Sequence, residues 1–255
     1  MQGEGKARSK YLETLYIVMP TYNEEANIRD VVSSWYPILE YGDEKSRIVV
    51  SDGGSTDRTL EILYDLQKTY PRLVVLSNPG TDHGTKVMIL YKYAIENNAN
   101  WIFQTDSDGQ TLPSEFEEFW DERNHYDAVI GNRKVRGDGS DRKFVENVLR
   151  LVLLVFFGKV VPDANAPFRL MKKTLVSRYI DLMPDGFPLP NAVLTEAFVK
   201  YNENVSFREI TFQPRQGGKN YMNWKRIFKI GWESLANFHM VRKNMKYYER
   251  KVWNK

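Results

Sequence analysis

The sequence predicts an α/β fold built on a central, mostly parallel sheet, and three observations point to it. Short apolar runs rich in β-branched residues alternate with helix-patterned stretches from Tyr16 to Thr105, the rhythm of strand–helix–strand units. Three of these runs end abruptly in polar segments, Thr21–Glu25, Ser51–Asp57 and Asp106–Gln110. The composition, 42% hydrophobic and 27% charged over 255 residues, is that of a soluble globular chain with a substantial core.

In chain order, Tyr16-Ile17-Val18-Met19 is a strand closed by Pro20, and Thr21-Tyr22-Asn23-Glu24-Glu25 has the polar character of a helix start. Ile28, Val31, Val32, Trp35 and Ile38-Leu39 follow at helical spacing. Ile48-Val49-Val50 is the second strand. A helix is expected over Arg58–Tyr70, carrying Leu60, Leu63, Tyr64 and Leu66. Leu73–Leu76 is a third strand, Gly84–Asn97 a helix and Trp101–Thr105 a fourth strand. In open α/β sheets ligands bind beyond the carboxyl ends of the strands, so the three polar segments are expected to share one crevice.

The second half is less regular. Ala128-Val129-Ile130 reads as a strand ended by Gly131-Asn132-Arg133, followed by a charged linker, Lys134–Lys143. Val145–Val161 reads as a helix broken near Gly158, and Asp163–Arg169 as a polar loop running into an apolar element. A helix is expected over Ala192–Lys200 and an alternating strand over Val205–Phe212. Gln213–Asn220 is a Gly-rich basic loop, and Asn223–Met240 an amphipathic helix. The expected organisation is one domain over residues 1–220, with a binding half (15–113) and a second half (114–220), then a basic helical tail, 221–255.

Several classes of chemistry are disfavoured. There is no cysteine, hence no disulfide or thiolate chemistry. No GxGxxG follows the first strand, and GxxxxGK[ST] and GxSxG are absent; His83, His125 and His239 lack zinc spacing. The N-terminus lacks the apolar core of a signal peptide, and the longest apolar run, Leu151–Phe157, falls far short of the roughly 20 residues that span a bilayer. A cytoplasmic protein is expected. Charge is uneven: from Lys219 onward ten Lys and Arg face only Glu233 and Glu249, a net of +8 in a chain of +3, leaving −5 for the preceding residues. Such a tail suits an anionic partner. Lys225, Arg226, Lys229, Arg242, Lys243 and Lys246 lie among Trp224, Ile227, Phe228, Ile230 and Trp232, which suits an anionic membrane surface or, alternatively, packing on the body; a nucleic-acid partner is not expected.

The segment Trp101–Pro113 carries the sharpest chemistry. Asp106 and Asp108, two residues apart, point the same way while the chain is extended, and a turn at Gly109 brings Gln110 round. Carboxylate and amide oxygens suit Mg²⁺ or Mn²⁺ bridging to a diphosphate; the alternative is a polar loop of solvated acids. Asp57 stands at a helix start, where it can cap. Asp52 follows its strand directly and precedes Gly53-Gly54.

Taken together, PTYNEE at Pro20–Glu25, VVSDGGSTDRT at Val49–Thr59, TDSDGQ at Thr105–Gln110, GNR at Gly131–Arg133, PFR at Pro167–Arg169 and RQGGKN at Arg215–Asn220 resemble a family-2-type glycosyltransferase. The likeness runs over nearly the whole chain and is greatest to the dolichol-phosphate mannosyltransferase, or polyprenyl-phosphate glycosyltransferase, group. It implies a nucleotide-diphospho-sugar transferase (GT-A type) fold and a UDP- or GDP-linked sugar donor. It further implies that Pro20, Tyr22, Glu24 and Asp52 hold the nucleoside, that Asp106, Asp108 and Gln110 hold the metal, and that Arg133 meets phosphate. Arg215 and Lys219 would close over the donor, while Arg142, Asn165 and Arg169 would face the acceptor. Two departures stand out: Gly53 where a second acid is common, and Lys86-Val87 where a second small residue after Gly84 is common. In the lipid-phosphate group an Arg in the linker is usually followed four places later by Ser; here Arg142 is followed by Glu146.

The expected activity is metal-dependent, inverting sugar transfer to a polyprenyl-phosphate or polyprenyl-linked acceptor, with Asp108 and Arg133 in the catalytic set. A phosphate acceptor is already an anion; a sugar hydroxyl in glycan or polysaccharide synthesis needs a base, for which Glu196 and Asp163 are candidates. A non-catalytic nucleotide-sugar-binding protein is the reading from another class.

Overall fold

The computed structural model describes residues 13–133, 154, 156–159, 161–214 and 224–253. Seven strands form one sheet in the order β3-β2-β1-β4-β6-β5-β7. β1 (Leu15–Thr21) lies between β2 (Arg47–Asp52) and β4 (Trp101–Gln104), with β3 (Leu73–Ser77) outside β2, all parallel. β6 (Arg169–Lys172) is antiparallel to both β4 and β5 (Ala128–Arg133), and β7 (Val205–Ile210) pairs parallel with β5. The sheet is therefore mostly parallel with one reversed strand.

The strand period of two sorts the core into two layers. Val18, Val49 and Ile102 face one layer, against Leu90 and Ala94 of α3 (His83–Glu96), Val176 of α5 (Lys173–Tyr179), Phe198 of α6 (Pro190–Lys200) and Phe238 of α7 (Trp224–Trp253). Ile17, Met19, Ile48, Val50 and Phe103 face the other, against Val32 and Trp35 of α1 (Ile28–Trp35), Leu63 of α2 (Thr59–Thr69) and Phe116 of α4 (Phe116–Glu122). Covering both faces is what allows strands as uniformly apolar as β1. Phe103, at the centre of the second layer, meets Trp35, Phe116 and Phe168 at centroid distances of 5.2, 4.9 and 4.7 Å.

Several expectations need correction. Pro20 lies inside β1, in register with Ser51, rather than closing the strand. Residues after Thr21 form a turn, with Asn23 at φ 55°, and the helix starts only at Ile28. Ile38 and Leu39 belong to a 3₁₀ turn, Tyr36–Tyr41, opened by Pro37, whose fixed φ and missing N–H interrupt the α-helical ladder. GNR is part of β5, not its end. The apolar element expected after the Asp163–Arg169 loop is the short strand β6, whereas α4 and α5 were not expected, each being only 7 residues long. α7 runs to Trp253, beyond the expected Met240. Its face carrying Phe238, Val241 and Met245 is buried, and Asn244 Nδ2 donates to Leu182 O at 3.0 Å. That stretch of the tail packs on the body. The Lys134–Lys143 linker and most of Val145–Val161 lie outside the described residues.

Candidate active site

The carboxyl ends of β1, β2 and β4 open onto a cleft of about 510 Å³, also lined by the turn and first residues leading into α3. Its walls are Pro20, Thr21, Tyr22 and Glu24 after β1; Gly53 and Gly54 after β2; Gly80–His83 and Lys86 from the α3 side; and Asp106, Ser107 and Asp108 after β4. The three polar segments thus meet.

Side chains from each segment hold the next. Asn23 N donates to Ser55 Oγ at 2.8 Å and Asn23 Oδ1 accepts from Thr56 N at 2.8 Å. Glu24 N donates to Thr59 Oγ1 at 2.7 Å, and Glu25 Oε2 accepts from Arg58 N at 3.0 Å. Asp57 Oδ1 accepts from Thr59 N at 3.0 Å but stands one residue before Arg58, the N-cap position of α2, which makes no side-chain cap. Ser107 Oγ donates to Pro20 O at 3.0 Å, fastening the β4 loop to β1. Gly80 N donates to Gly53 O at 3.1 Å, fastening the α3 approach to the β2 loop.

Asp106 and Asp108 both line the cleft, and Gly109 turns the chain at φ 75°, a backbone conformation open to glycine at no steric cost. Gln110 departs from the expected trio. It is buried, its Nε2 donates to Gln213 O at 2.7 Å, and its backbone O accepts from Gln213 N at 2.8 Å. It anchors the stretch that opens the Gly-rich basic loop and is not among the cleft-lining residues. No group of three or more His, Cys, Asp or Glu positioned for a metal occurs among the described residues. Two convergent carboxylates fit Mg²⁺ or Mn²⁺ whose remaining positions are filled by phosphate oxygens and water, the usual mode for a hard cation on a nucleotide.

Pro20, Tyr22 and Glu24 stand at the cleft as expected, and Glu24 Oε2 also accepts from Asn27 Nδ2 at 2.9 Å. Asp52 does not face it. Its buried carboxylate accepts from Gly54 N at 2.9 Å, from Ser55 N at 3.0 Å and from Ser55 Oγ, so it shapes the loop rather than touching the cleft.

The second set is also rearranged. Arg133 forks onto Asp163, Nε and Nη2 donating at 2.6 and 2.9 Å, and donates to Asn165 O at 3.3 Å. The guanidinium expected at phosphate and a carboxylate expected as a base thus occupy one another. Arg169 is wholly buried, donating to the carbonyls of Ala166, Asn191 and Ala164 at 3.0, 3.1 and 3.2 Å. Its expected acceptor contact is therefore withdrawn: it organises the loop that holds Asn165. Glu196 lies in α6, fully buried, and neither carboxylate oxygen has a hydrogen-bond partner. Burial pushes its carboxyl up to about 7. Arg142, Arg215 and Lys219 lie outside the described residues.

Thr21 and Ser107 lie in two of the segments expected at the crevice; Gly80–His83 and Lys86 line it outside them. For Lys86 a signal existed. It shares a four-residue stripe with Leu90 and Ala94, all three buried, where a solvated lysine does not belong.

The family model for glycosyl transferase family 2 matches residues 16–180, about two thirds of the chain. The chain belongs to this family. Among relatives, a low-salt glycan biosynthesis hexosyltransferase of Haloferax volcanii is 29% identical over 90% of this chain and 54% of its own length. A dolichol-phosphate mannosyltransferase of Pyrococcus furiosus is 26% identical over 84% of this chain and 60% of its own. An uncharacterized glycosyltransferase of Synechocystis is 24% identical over 89% and 70%. This family-2 chain thus spans little more than half the length of some curated relatives. The fold matches the solved structure of glucosyl-3-phosphoglycerate synthase from Mycobacterium tuberculosis in complex with Mn²⁺, UDP and glucosyl-3-phosphoglycerate, at a TM-score of 0.66 and 16% identity, covering 90% of this chain and 80% of that one. The GT-A type fold expected from the sequence is the fold observed.

Proposed function

We propose that this family-2 chain is a metal-dependent inverting hexosyltransferase, moving a sugar from a UDP- or GDP-linked donor to a polyprenyl phosphate or polyprenyl-linked acceptor. The observation that carries the reading is the convergence of Asp106 and Asp108 with Tyr22, Glu24 and the Gly53-Gly54 turn around one cleft at the strand ends. Carboxylates for a metal-bound diphosphate thus stand beside an aromatic and polar pocket for a nucleoside. The mannosyltransferase and hexosyltransferase relatives and the Mn²⁺ and UDP of the solved neighbour support it.

In this reading Tyr22 and Glu24 bound the nucleoside, while Asp52 keeps the Gly54-Ser55 turn open to it. Asp106 and Asp108 would hold Mg²⁺ or Mn²⁺, which would supply electrostatic stabilisation to the leaving diphosphate. The acceptor oxygen bonds to the anomeric carbon from the face opposite the departing diphosphate, which takes the bonding electron pair. Arg133, clamped to Asp163, holds the Asn165 segment; Arg215 and Lys219 belong to the loop that closes over the donor.

A second reading is transfer to a sugar hydroxyl, which needs a base; Asp163 is committed to Arg133, and Glu196, whose carboxyl burial raises to about 7, is enclosed in α6 and is not among the cleft-lining residues. No described helix is long and apolar enough to cross a membrane. Contact with an anionic membrane surface would use the exposed Arg242, Lys243, Lys246 and Arg250 of α7, since Phe238, Val241 and Met245 are turned inward.

The deciding experiment measures nucleoside-diphosphate release from UDP- and GDP-sugars with Mn²⁺ or Mg²⁺, with and without a polyprenyl phosphate. Release stimulated by the lipid supports the first reading. Stimulation only by sugar acceptors supports the second, and no turnover with any donor overturns both.

A further inference from the structure

Among the described residues that line the cleft, Lys86 is the only lysine or arginine, beside the acids Glu24, Asp82, Asp106 and Asp108. It is 4% exposed, and its Nζ donates to Thr21 O at 2.7 Å. Nζ also stands 5.4 Å from the ring centroid of Tyr22. Its place depends on Gly53. A Cβ at that position would come within 2.8 Å of Lys86 Nζ and 2.8 Å of Thr81 O, so the absent side chain is what admits the lysine.

The strand geometry says which end of the cleft this is. Thr21 O also accepts from Gly53 N at 3.2 Å, which puts Lys86 on the β2 side of β1. Pro20 O, one residue back, accepts from Ser107 on the β4 side. Successive carbonyls of a strand point to opposite sides. The cleft therefore has a carboxylate end, with Asp106 and Asp108, and an opposite end formed by Tyr22, Gly53 and Lys86. A nucleoside diphosphate with its phosphates at the first end places its base toward the second. Asp52, the acid nearest that end in sequence, is turned inward onto Gly54 and Ser55.

We propose that Lys86 is a specificity-determining residue, donating from its ammonium group to O4 of uracil or O6 of guanine and so selecting keto bases over amino bases. The assignment rests on the transferase reading above. An ammonium group has three donors and no lone pair. It matches O4 of uracil or O6 of guanine, whereas cytosine and adenine present an amino donor at the corresponding position. Two donors facing each other in a buried site leave both unsatisfied, and sites built around one hydrogen bond reject the mismatched ligand strongly.

The test measures binding of UDP, GDP, CDP and ADP to the full chain with Mn²⁺ by titration calorimetry. The unaltered protein is expected to bind UDP or GDP at least about tenfold more tightly than CDP and ADP. Lys86→Met should weaken the favoured keto nucleotide by about tenfold or more and erase most of the preference. Lys86→Gln, whose amide both donates and accepts, should fold if Met does not and should raise CDP and ADP binding relative to UDP and GDP. Gly53→Ala, which crowds Nζ, should also lower the preference. An unchanged keto-to-amino ratio in the Lys86 variants overturns the assignment, as does equal weakening of all four nucleotides, the mark of a phosphate contact. If the unaltered protein binds none of the four with Mn²⁺ present, the transferase reading falls and the assignment with it. Tight binding without a Lys86 effect overturns the assignment alone.

Discussion

Replacing Glu196 by Gln should change how stability depends on pH. Glu196 is fully buried with no hydrogen-bond partner on either oxygen, and burial raises its carboxyl from the ordinary 4.5 to about 7. Between those values the folded chain holds a proton that the unfolded chain releases, so stability falls as pH rises through this window and levels off above about 7. The full difference corresponds to roughly 3 kcal/mol, at 1.36 kcal/mol per pKa unit. Gln cannot ionise and removes that slope, although its buried amide carries a hydrogen-bonding cost of its own. The informative quantity is therefore a double difference: the stability change of Glu196→Gln at pH 8.5 minus that at pH 5, from urea unfolding. It should favour Gln by up to about 3 kcal/mol, equivalent to roughly 6–12 °C in Tm for a chain of this size. Parallel unfolding curves for the two proteins across this range would refute the reasoning. Because Glu196 is buried away from the cleft lining, the same variant should leave transfer unchanged at a pH where both proteins are folded; loss of transfer to a hydroxyl alone would instead make Glu196 its base.

Three further outcomes are expected. Asp108→Asn should cost several kcal/mol of transition-state stabilisation while leaving the circular dichroism spectrum intact; full activity in EDTA would contradict the metal's role. Arg169→Met strands the carbonyls of Ala164, Ala166 and Asn191, so it should lower stability by about 3 kcal/mol or more; an unchanged urea midpoint with a raised acceptor KM would restore Arg169 to the acceptor site. Lys243→Glu combined with Lys246→Glu should abolish salt-sensitive cosedimentation with anionic vesicles, since each basic residue at such a surface contributes about 1 kcal/mol. This variant tests the membrane proposal without disturbing the buried Phe238, which a truncation would remove; cosedimentation equal to that of the unaltered chain argues against it.

Read alone, the sequence determined the alternation of strands and helices, the segments beyond the strand ends and the Asp106–Asp108 pair. These are local properties: period-two apolar runs, a glycine turn and acids two residues apart are legible along the chain. It did not disclose that the apolar element after the Asp163–Arg169 loop is a strand, β6, whose four residues pair because β4 and β5 offer it edges on both sides. It also could not assign partners among polar residues far apart in sequence. Arg133 and Asp163 look like two separate functional groups until the fold sets them 2.6 Å apart, and Arg169 looks available until three carbonyls enclose it. Asp52 was legible as a special position, but the direction of its carboxylate was not. Lys86 is a mixed case: its place in the apolar stripe with Leu90 and Ala94 marks it in the sequence as no ordinary solvated lysine, but only the packing of α3 on β1 and β2, with Gly53 leaving room, puts its charge into the cleft. Backbone pattern is written locally, whereas the pairing of buried charges depends on three-dimensional proximity, and that is decided by the tertiary structure.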